Sequence, residues 1–325
     1  MDLAHPFRWI AASALLLASA GAFAPLRAQS GGMVRGTAAR PAPTLRRASK
    51  AIDVAPPITT SLTDAKFGSD SLDGFTPRDP KRSLTTLQRT ADGGFLLQPG
   101  YYELHDQSYS LGAGTYAPGG SDGYLYAPPL GRAEQAVESV VRNSVQHPEI
   151  QQHDVQVVLW AIIARSNFDG LPTGIKANAA KLLTQQELAM LNGTAVDVVR
   201  GAAPSTALAV TPSLAGPTTA AEANLRAMLM NPSASYSDLE RVAVIAGAAP
   251  IGAGSRAVPA GRWSLHPDGY YIRYQPLGYT NTIVQIWVRQ GSSAVGKEYD
   301  PATHIAVPGN TSRQRLIQSG RIYSQ

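Results

Sequence analysis

The sequence contains no cysteine among its 325 residues, and charged residues make up 16% of it. Without cysteine the chain has no disulfide, no thiolate metal ligand, no lipoprotein cysteine and no cysteine nucleophile. It also has no Walker phosphate loop, and the glycines at 112, 114, 119, 120 and 123 do not form the dinucleotide-binding spacing after a strand and before a helix. We predict no Gly-x-Ser-x-Gly nucleophile elbow, and we predict no cofactor. These absences exclude the enzyme classes that such motifs define.

The N-terminus has the pattern of a secretory signal peptide. Arg8 gives a positive start, an apolar run covers residues 9–24, and Ala28 offers a small residue for cleavage. The run is shorter than the roughly 20 residues that span a membrane. We therefore predict a signal peptide over residues 1–28 and a periplasmic or extracellular protein. No transmembrane segment is expected in the mature chain.

The positive charge of the protein is concentrated in one short segment. The net charge is +5, and five basic residues with no acidic residue lie between positions 29 and 52, namely Arg35, Arg40, Arg46, Arg47 and Lys50. Residues 29–70 are rich in Gly, Ala, Pro, Ser and Thr, which predicts a disordered basic linker. We expect residues 29–52 to be weakly attracted to anionic surfaces. Since the remainder has no basic stripe, no nucleic-acid partner is predicted.

The rest of the chain divides into three regions by composition. Residues 71–130 alternate aromatic segments with glycine-rich loops and are predicted as an aromatic β region. Residues 131–249 show helical spacing of apolar residues and are predicted as a helical domain. Residues 250–325 return to strands and are predicted as a C-terminal β-hairpin region. The expected fold class is α+β, a central helical bundle flanked by two small antiparallel β regions. Whether the two β regions share one sheet stays open.

The helical region carries several start and stop signals. One helix is predicted to end before His147-Pro148, because a residue that precedes proline disfavours the helical conformation. A second helix is predicted from Asp154 to about Arg165, apolar on nearly all sides and therefore central. Three Ser/Thr-x-x-Glu pairs predict capping boxes: Thr184 with Glu187, Thr219 with Glu222, and Ser237 with Glu240.

The clearest local pattern is a two-stranded hairpin around Pro276 and Gly278. Val284, Ile286 and Val288 alternate with polar and aromatic residues, which predicts one face against a core. The opposite face then carries the predicted ligand-binding residues, namely Tyr271, Arg273, Gln285, Trp287 and Arg289. Aromatic rings beside amide and guanidinium donors suit sugars, and they are also favoured at protein interfaces. The alternative is that both faces are buried.

A second set of polar residues lies at the junction of the first two helices, namely His147, Glu149, His153 and Asp154. Their spacing matches no established zinc signature, and acids at a helix start are ordinary, so we predict no metal site. The carboxylate pairs Glu103 with Asp106 and Glu149 with Asp154 carry little signal for a glycosidase, since spatial separation decides that chemistry.

These observations predict a non-enzymatic, exported envelope or extracellular protein that binds polysaccharide or a protein partner through the aromatic β face. One alternative is a cell-envelope hydrolase for glycan or peptide, with its site at the helix junction. For that function the four junction residues need to converge in a cleft. Another alternative is a structural or matrix protein that assembles through exposed β edges.

Overall fold

A computed structural model describes residues 55–201 and 217–323, with side chains described for all of these except 196–201 and 217–219. The predicted signal peptide and the basic cluster of residues 29–52 lie outside the described residues. Twelve strands occur in the described part: β1 Lys81–Ser83, β2 Phe95–Leu96, β3 Gly100–Ser110, β4 Thr115–Tyr116, β5 Tyr124–Ala127, β6 Val244–Ile245, β7 Ser264–Leu265, β8 Tyr271–Pro276, β9 Asn281–Val288, β10 Glu298–Tyr299, β11 Ile305–Pro308 and β12 Leu316–Ile322.

Eight of these strands form one nearly closed, barrel-like sheet. Its order is β5-β11-β12-β3-β9-β8-β7, with β1 paired to β3, and only the β1–β3 pair is parallel. The two end strands approach each other, since the Tyr126 amide donates to the Ser264 hydroxyl at 3.0 Å. Two-stranded ladders β10–β2 and β4–β6 complete the β structure of the described residues. The predicted central bundle flanked by two small sheets is therefore wrong.

Strand β3 explains why that prediction failed. It pairs with β9 in the register Tyr101–Trp287 and with β12 in the register Ser110–Leu316. The aromatic β region and the C-terminal β region thus supply neighbouring strands of a single sheet, with the helical region inserted between them in sequence. Local periodicity predicts that a strand exists but does not contain the identity of a distant partner.

The predicted hairpin is confirmed as β8 and β9, which pair antiparallel. Val284, Ile286 and Val288 are buried, as expected for the face turned toward the core. In register with them are Tyr102 and Leu104 of β3, which are also buried. Side chains alternate across a strand, so the neighbouring positions form the opposite face of the sheet.

Six helices occur in the described part: α1 Glu134–Gln146, α2 Gln152–Ile163, α3 Thr173–Leu182, α4 Gln185–Gly201, α5 Pro217–Leu229 and α6 Tyr236–Ala243. Helix α1 ends before His147, as predicted, and α2 has nine consecutive buried residues, 155–163. Helix α1 packs on β12, and α2 contacts β3 as well as four other helices. The all-round apolar helix is therefore central among the helices, but these lie against the outside of the sheet.

A glutamine of α2 completes the end of β3. The Ser110 amide donates to Gln156 Oε1 at 2.8 Å, and Gln156 Nε2 donates to the Ser110 carbonyl at 3.0 Å. Strand β9 begins at Asn281, opposite Gln107, so Ser110 has no backbone partner on that side. The buried side-chain amide thus replaces a neighbouring strand, which satisfies a peptide group that is costly to bury unpaired.

The capping predictions have three outcomes. Thr184 and Glu187 form the expected reciprocal box. The prediction for Ser237 and Glu240 is wrong, because α6 is capped by Ser235 and Asp238. The side chain of Thr219 lies outside the described residues.

Residues 55–70, which the sequence places in the linker segment, lie against the sheet. Ile58 and Leu62 are buried, and the Thr59 amide donates to the Leu130 carbonyl at 2.8 Å. The Lys66 amide donates to the Tyr126 carbonyl, also at 2.8 Å. This segment therefore covers the side of the sheet where β5 and β7 approach.

Buried histidines lie at the same closing side of the sheet. His266 Nδ1 accepts from the Asp268 amide at 3.1 Å, so its Nε2 carries the proton and donates to Tyr126 Oη at 3.1 Å. Burial lowers the pKa of His266 to about 4, despite the opposing charge of Asp268. The ring is neutral at pH 7 as a result.

The second histidine, His304, stacks on His266 with ring centroids 5.0 Å apart. Its Nδ1 donates to the Asp300 carbonyl at 2.8 Å, and its Nε2 accepts from Tyr270 Oη at 2.6 Å. Burial lowers the pKa of His304 to about 3, and the neighbouring His266 lowers it further. Both rings thus contribute as neutral packing and hydrogen-bonding groups.

This arrangement predicts that the stability of the protein falls on acidification. The unfolded chain binds a proton at His266 near pH 6.5, whereas the folded chain resists it until about pH 4. The stability contributed by the neutral ring is complete above pH 6.5 and is lost as the pH falls toward 4. The free energy of unfolding of wild type and of His266→Gln is measured with denaturant between pH 7 and 4. Over this range the wild type should lose up to about 3 kcal/mol more unfolding free energy than the variant. Parallel curves would contradict the prediction.

Candidate functional site

Four strands bring an aromatic row to the outer face of the sheet. The pairing aligns Tyr101, Trp287, Tyr271 and Leu265 side by side across β3, β9, β8 and β7. Trp287 lies 5.1 Å from Tyr271 and also 5.1 Å from Phe75, measured between ring centroids. We use the name aromatic row for Tyr271 and Trp287 together with the neighbouring side chains of Leu265 and Phe75. The name does not include Tyr101.

The faces of these rings are occupied by one another. Tyr271 and Trp287 are stacked with an angle of 28° between their planes. The Arg289 guanidinium lies over the Tyr271 ring at 5.4 Å from its centroid. Phe75, Tyr271 and Trp287 are half-buried. Leu265 is 44% exposed, and Arg289, which is not part of the row, is also exposed. The row therefore presents a packed, half-buried pair of rings with a guanidinium over one of them at the surface.

Beside the aromatic row, on the same face of the sheet, a hydrogen-bonded chain of four side chains crosses the strands. We call Lys81, Glu103, Gln285 and Arg273 the polar ladder. Lys81 Nζ donates to Glu103 Oε2 at 2.7 Å, and Gln285 Nε2 donates to the same oxygen at 2.5 Å. Arg273 Nε then donates to Gln285 Oε1 at 2.5 Å. Burial raises the pKa of Glu103, but the bonds from Lys81 and Gln285 outweigh it, and the net shift is downward. The ladder holds Glu103 ionised and fixes four side chains.

The segment from Gly68 to Phe75, which precedes β1, covers part of this face of the sheet. Arg262 is paired with Asp73, and the Phe75 carbonyl accepts from Trp263 Nε1 at 3.0 Å and from an Arg273 NH group at 3.2 Å. Gly68 has φ of 63°, and a Cβ at this position would lie 1.9 Å from the Trp263 carbonyl oxygen. Only glycine permits this close crossing of the chain over β7.

The structure thus separates the five predicted ligand-binding residues into two groups. Tyr271, Trp287 and Arg289 lie together at the surface. Arg273 and Gln285 are buried, at 8% and 5% exposure, and belong to the polar ladder. Only the first group is available to a ligand in this conformation.

The helix-junction residues form two separate surface pairs. His147 Nδ1 lies 3.1 Å from Glu149, which also pairs with Lys181, and His153 lies 3.3 Å from Asp154. The pKa of Glu149 is lowered to about 2 by its own backbone amide and by the bonds from Lys181 and His147. All four junction residues are exposed or nearly so and do not converge in a cleft. The carboxyls of Glu103 and Asp106 lie on opposite faces of β3, since Asp106 points into the buried interior.

Two features were missed at the sequence level. Residues 119–123 do match Gly-x-Ser-x-Gly, but Ser121 lies in a turn that leads into β5, without the strand-to-helix frame of a nucleophile elbow. Tyr236, Tyr279 and Glu240 form a hydrogen-bonded chain beside His153, with 2.8 Å between the two phenol oxygens. Because these groups come from α6 and the β8–β9 loop, no local spacing indicates them.

Comparison with protein-family models, with curated proteins and with solved structures gave no match for this chain. Within residues 55–201 and 217–323, no group of three or more histidines and acids is placed to hold a metal ion. No helix in this part of the chain is long and apolar enough to cross a membrane.

The two arginines of the predicted site should differ sharply in their effect on stability. Arg273→Ala removes a buried guanidinium that bonds Gln285 and Tyr101 and lies 4.3 Å from the Trp263 ring centroid, so we expect a loss of about 2–4 kcal/mol. Arg289→Ala removes only an exposed contact with Tyr271, so the loss should stay within about 1 kcal/mol. Urea unfolding of both variants checks this, and equal losses would show that the exposed position is also structural.

Proposed function

We propose that this protein is exported and acts without catalysis, by binding a protein partner through the aromatic row and Arg289. The observation that carries the proposal is the half-exposed Tyr271–Trp287 stack with a guanidinium over it. Trp, Tyr and Arg are the residues most enriched where binding energy is concentrated in protein interfaces. Residues 29–52 would add weak attraction to anionic envelope polymers.

The ring geometry favours a protein over a polysaccharide. Sugar recognition by aromatic residues uses an open ring face, against which the apolar face of a sugar ring packs. The Tyr271 ring stacks with Trp287 and has the Arg289 guanidinium over it, and Trp287 also contacts Phe75, so these rings already pack against groups of the same chain. The edges of the rings with the exposed Leu265 form an apolar patch, which suits apolar side chains of a partner.

The charge at the patch defines the partner further. Arg289 is exposed and forms no ion pair among the described residues. A partner that places a carboxylate there gains a charge-assisted hydrogen bond beside the apolar contact. The polar ladder beside the patch links strands β3, β9 and β8, so the patch is presented on a rigid sheet rather than on a loop.

Export predicts a defined mature N-terminus. If residues 1–28 are a signal peptide, the protein recovered from the producing cell begins at Gln29. N-terminal sequencing or intact mass measures this directly. Recovery of the uncleaved chain from the cytoplasmic fraction would contradict export.

Site-specific photo-crosslinking tests the partner. A photoreactive amino acid at position 265, within the aromatic row, should crosslink the exported protein to one protein partner and give a single discrete adduct. The same group at position 277, where Leu277 is 62% exposed away from the row, is the matched control and should give none. Arg289→Glu should weaken the adduct at least about tenfold, since interface hot spots exceed 1.4 kcal/mol.

Co-sedimentation with purified cell-wall glycan and outer-membrane polysaccharide is run in parallel. Glycan binding that is insensitive to Arg289→Glu and lost in high salt belongs to the basic segment and leaves the proposal standing. Glycan binding that depends on Arg289, with no adduct from position 265, would make a polysaccharide the ligand and overturn the protein-partner proposal.

A further inference from the structure

A second candidate site is a cavity of about 220 Å³ between residues 56–62, the end of α2, residues 111–115, α5 and residues 307–315. Its wall is mostly apolar, with Ile58, Leu62, Leu111, Ile163 and Val307 among the lining residues. Its polar lining includes Thr115, Glu222, Arg313 and Arg315. Concave apolar walls with a few placed polar groups are the usual form of a small-molecule site.

Among the described residues, no carboxylate forms an ion pair with one guanidinium at this cavity, that of Arg315. Arg315 donates to the carbonyls of Ile58 at 3.3 Å and Leu111 at 3.4 Å, and to that of Thr60. Burial lowers the pKa of Arg315, and Glu222 counteracts this only in part. Arg313, by contrast, lies 2.8 Å from Asp122 and is neutralised by it.

The single acid of the lining that the structure describes is already engaged. Glu222 lies 2.8 Å from Arg165, and both side chains are 8% exposed. Arg226, one turn further along α5, has a buried Nε without a partner among the described residues. Burial raises the pKa of Glu222, although Arg165, Arg226 and Arg315 all act in the opposite direction. One carboxylate thus acts on three guanidinium groups, of which only Arg315 lines the cavity, and the group as a whole carries excess positive charge.

The backbone shows that this charge is placed at a cost. Arg165 has φ of 53° at the end of α2, in a C-terminal turn where the Ser166 amide bonds the Ala161 carbonyl at 2.9 Å. Glycine is the usual residue at such a position, because a Cβ is strained there. The chain instead carries a guanidinium that reaches Glu222. Strain of this kind is common at functional sites.

A hydroxyl in the cavity wall is also unused. Thr115 Oγ1 is buried and has no hydrogen-bond partner in the described part of the chain. Buried polar atoms are usually paired. This hydroxyl lines the same cavity as the Arg315 guanidinium, so an anion that enters the cavity finds a hydroxyl donor as well as a cation in its wall.

We propose that this cavity binds a small amphipathic carboxylate, a molecule with one carboxylate on a short chain or single ring. The carboxylate would lie by Arg315 and Thr115, and the apolar body against Ile58, Leu111 and Ile163. A cavity of about 150 Å³ holds benzene, so this volume leaves room for a ring or short chain with its charged group. A phosphate dianion fits less well, since Glu222 repels the second charge and the walls are apolar.

Binding is measured by calorimetry on the mature protein with benzoate and hexanoate as probes. Their neutral amides, benzamide and hexanamide, match them in shape, and inorganic phosphate tests for an anion site without an apolar wall. We expect saturable binding of a carboxylate, at least about tenfold weaker binding of its amide, and no binding of phosphate. Equal binding of acid and amide, or no binding of either acid, would overturn the proposal.

Two substitutions test the assignment of residues. Glu222→Gln removes the competing negative charge, so carboxylate affinity should rise about fivefold or more while amide affinity is unchanged. A gain of affinity cannot result from misfolding. Asp169→Asn is the matched control, an exposed acid outside the cavity lining, and should change nothing. Thr115→Val should weaken carboxylate binding without loss of thermal stability, because the Thr115 hydroxyl bonds no described residue. Unchanged or weaker carboxylate binding by Glu222→Gln would show that the cavity does not hold the anion.

This site is independent of the aromatic row, so failure of either proposal leaves the other intact.

Discussion

The architecture depends on strand β3, which is shared between two regions that are distant in sequence. One side of β3 pairs with β9 along most of its length, and the other pairs first with β1 and then with β12. Until the C-terminal strands β9 and β12 are made, most backbone groups of β3 lack their sheet partners, since β1 pairs only with residues 101–103. The helices do not replace these partners, apart from α2, whose Gln156 serves Ser110. Such long-range pairing makes the sheet dependent on synthesis of almost the whole chain, and it favours slow folding.

The local elements were predictable because their signals are local. The β8–β9 hairpin and the all-round apolar α2 follow from alternation and helical spacing within a few residues. The assembly was not predictable, since alternation in β3 suits any antiparallel partner equally well. The N-terminal cap of α6 is another feature that local spacing does not decide. Ser235 with Asp238 and Ser237 with Glu240 have equal spacing, and the second pair matches the preferred acid, but Glu240 is drawn away by Tyr279.

The candidate face was predictable in composition and not in exposure. Alternation correctly put Arg273, Gln285 and Trp287 on the side opposite the core. Which of them meet solvent depends on the segment from Gly68 to Phe75, whose crossing is fixed by Arg262 and Trp263. That segment lies far from the hairpin in sequence. The same limit applies to the Arg165–Glu222 pair, where the sequence signal is only a helix end that carries arginine instead of glycine.

The buried polar groups of this protein differ in what they require. Within the polar ladder and the histidine pair, each donor meets an acceptor of the same chain, so folding alone explains them. Inside the sheet, Tyr274, Tyr299 and Gln318 have unpaired atoms among the described residues, but these are neutral groups that a buried water can satisfy. The guanidinium cluster around Glu222 is different, since water does not cancel charge and a poorly solvated cation is far more costly than a neutral amide or hydroxyl. An anion that enters the cavity beside Arg315 offsets part of that cost, which is why the excess charge, rather than the cavity volume, supports the proposal of a binding site here.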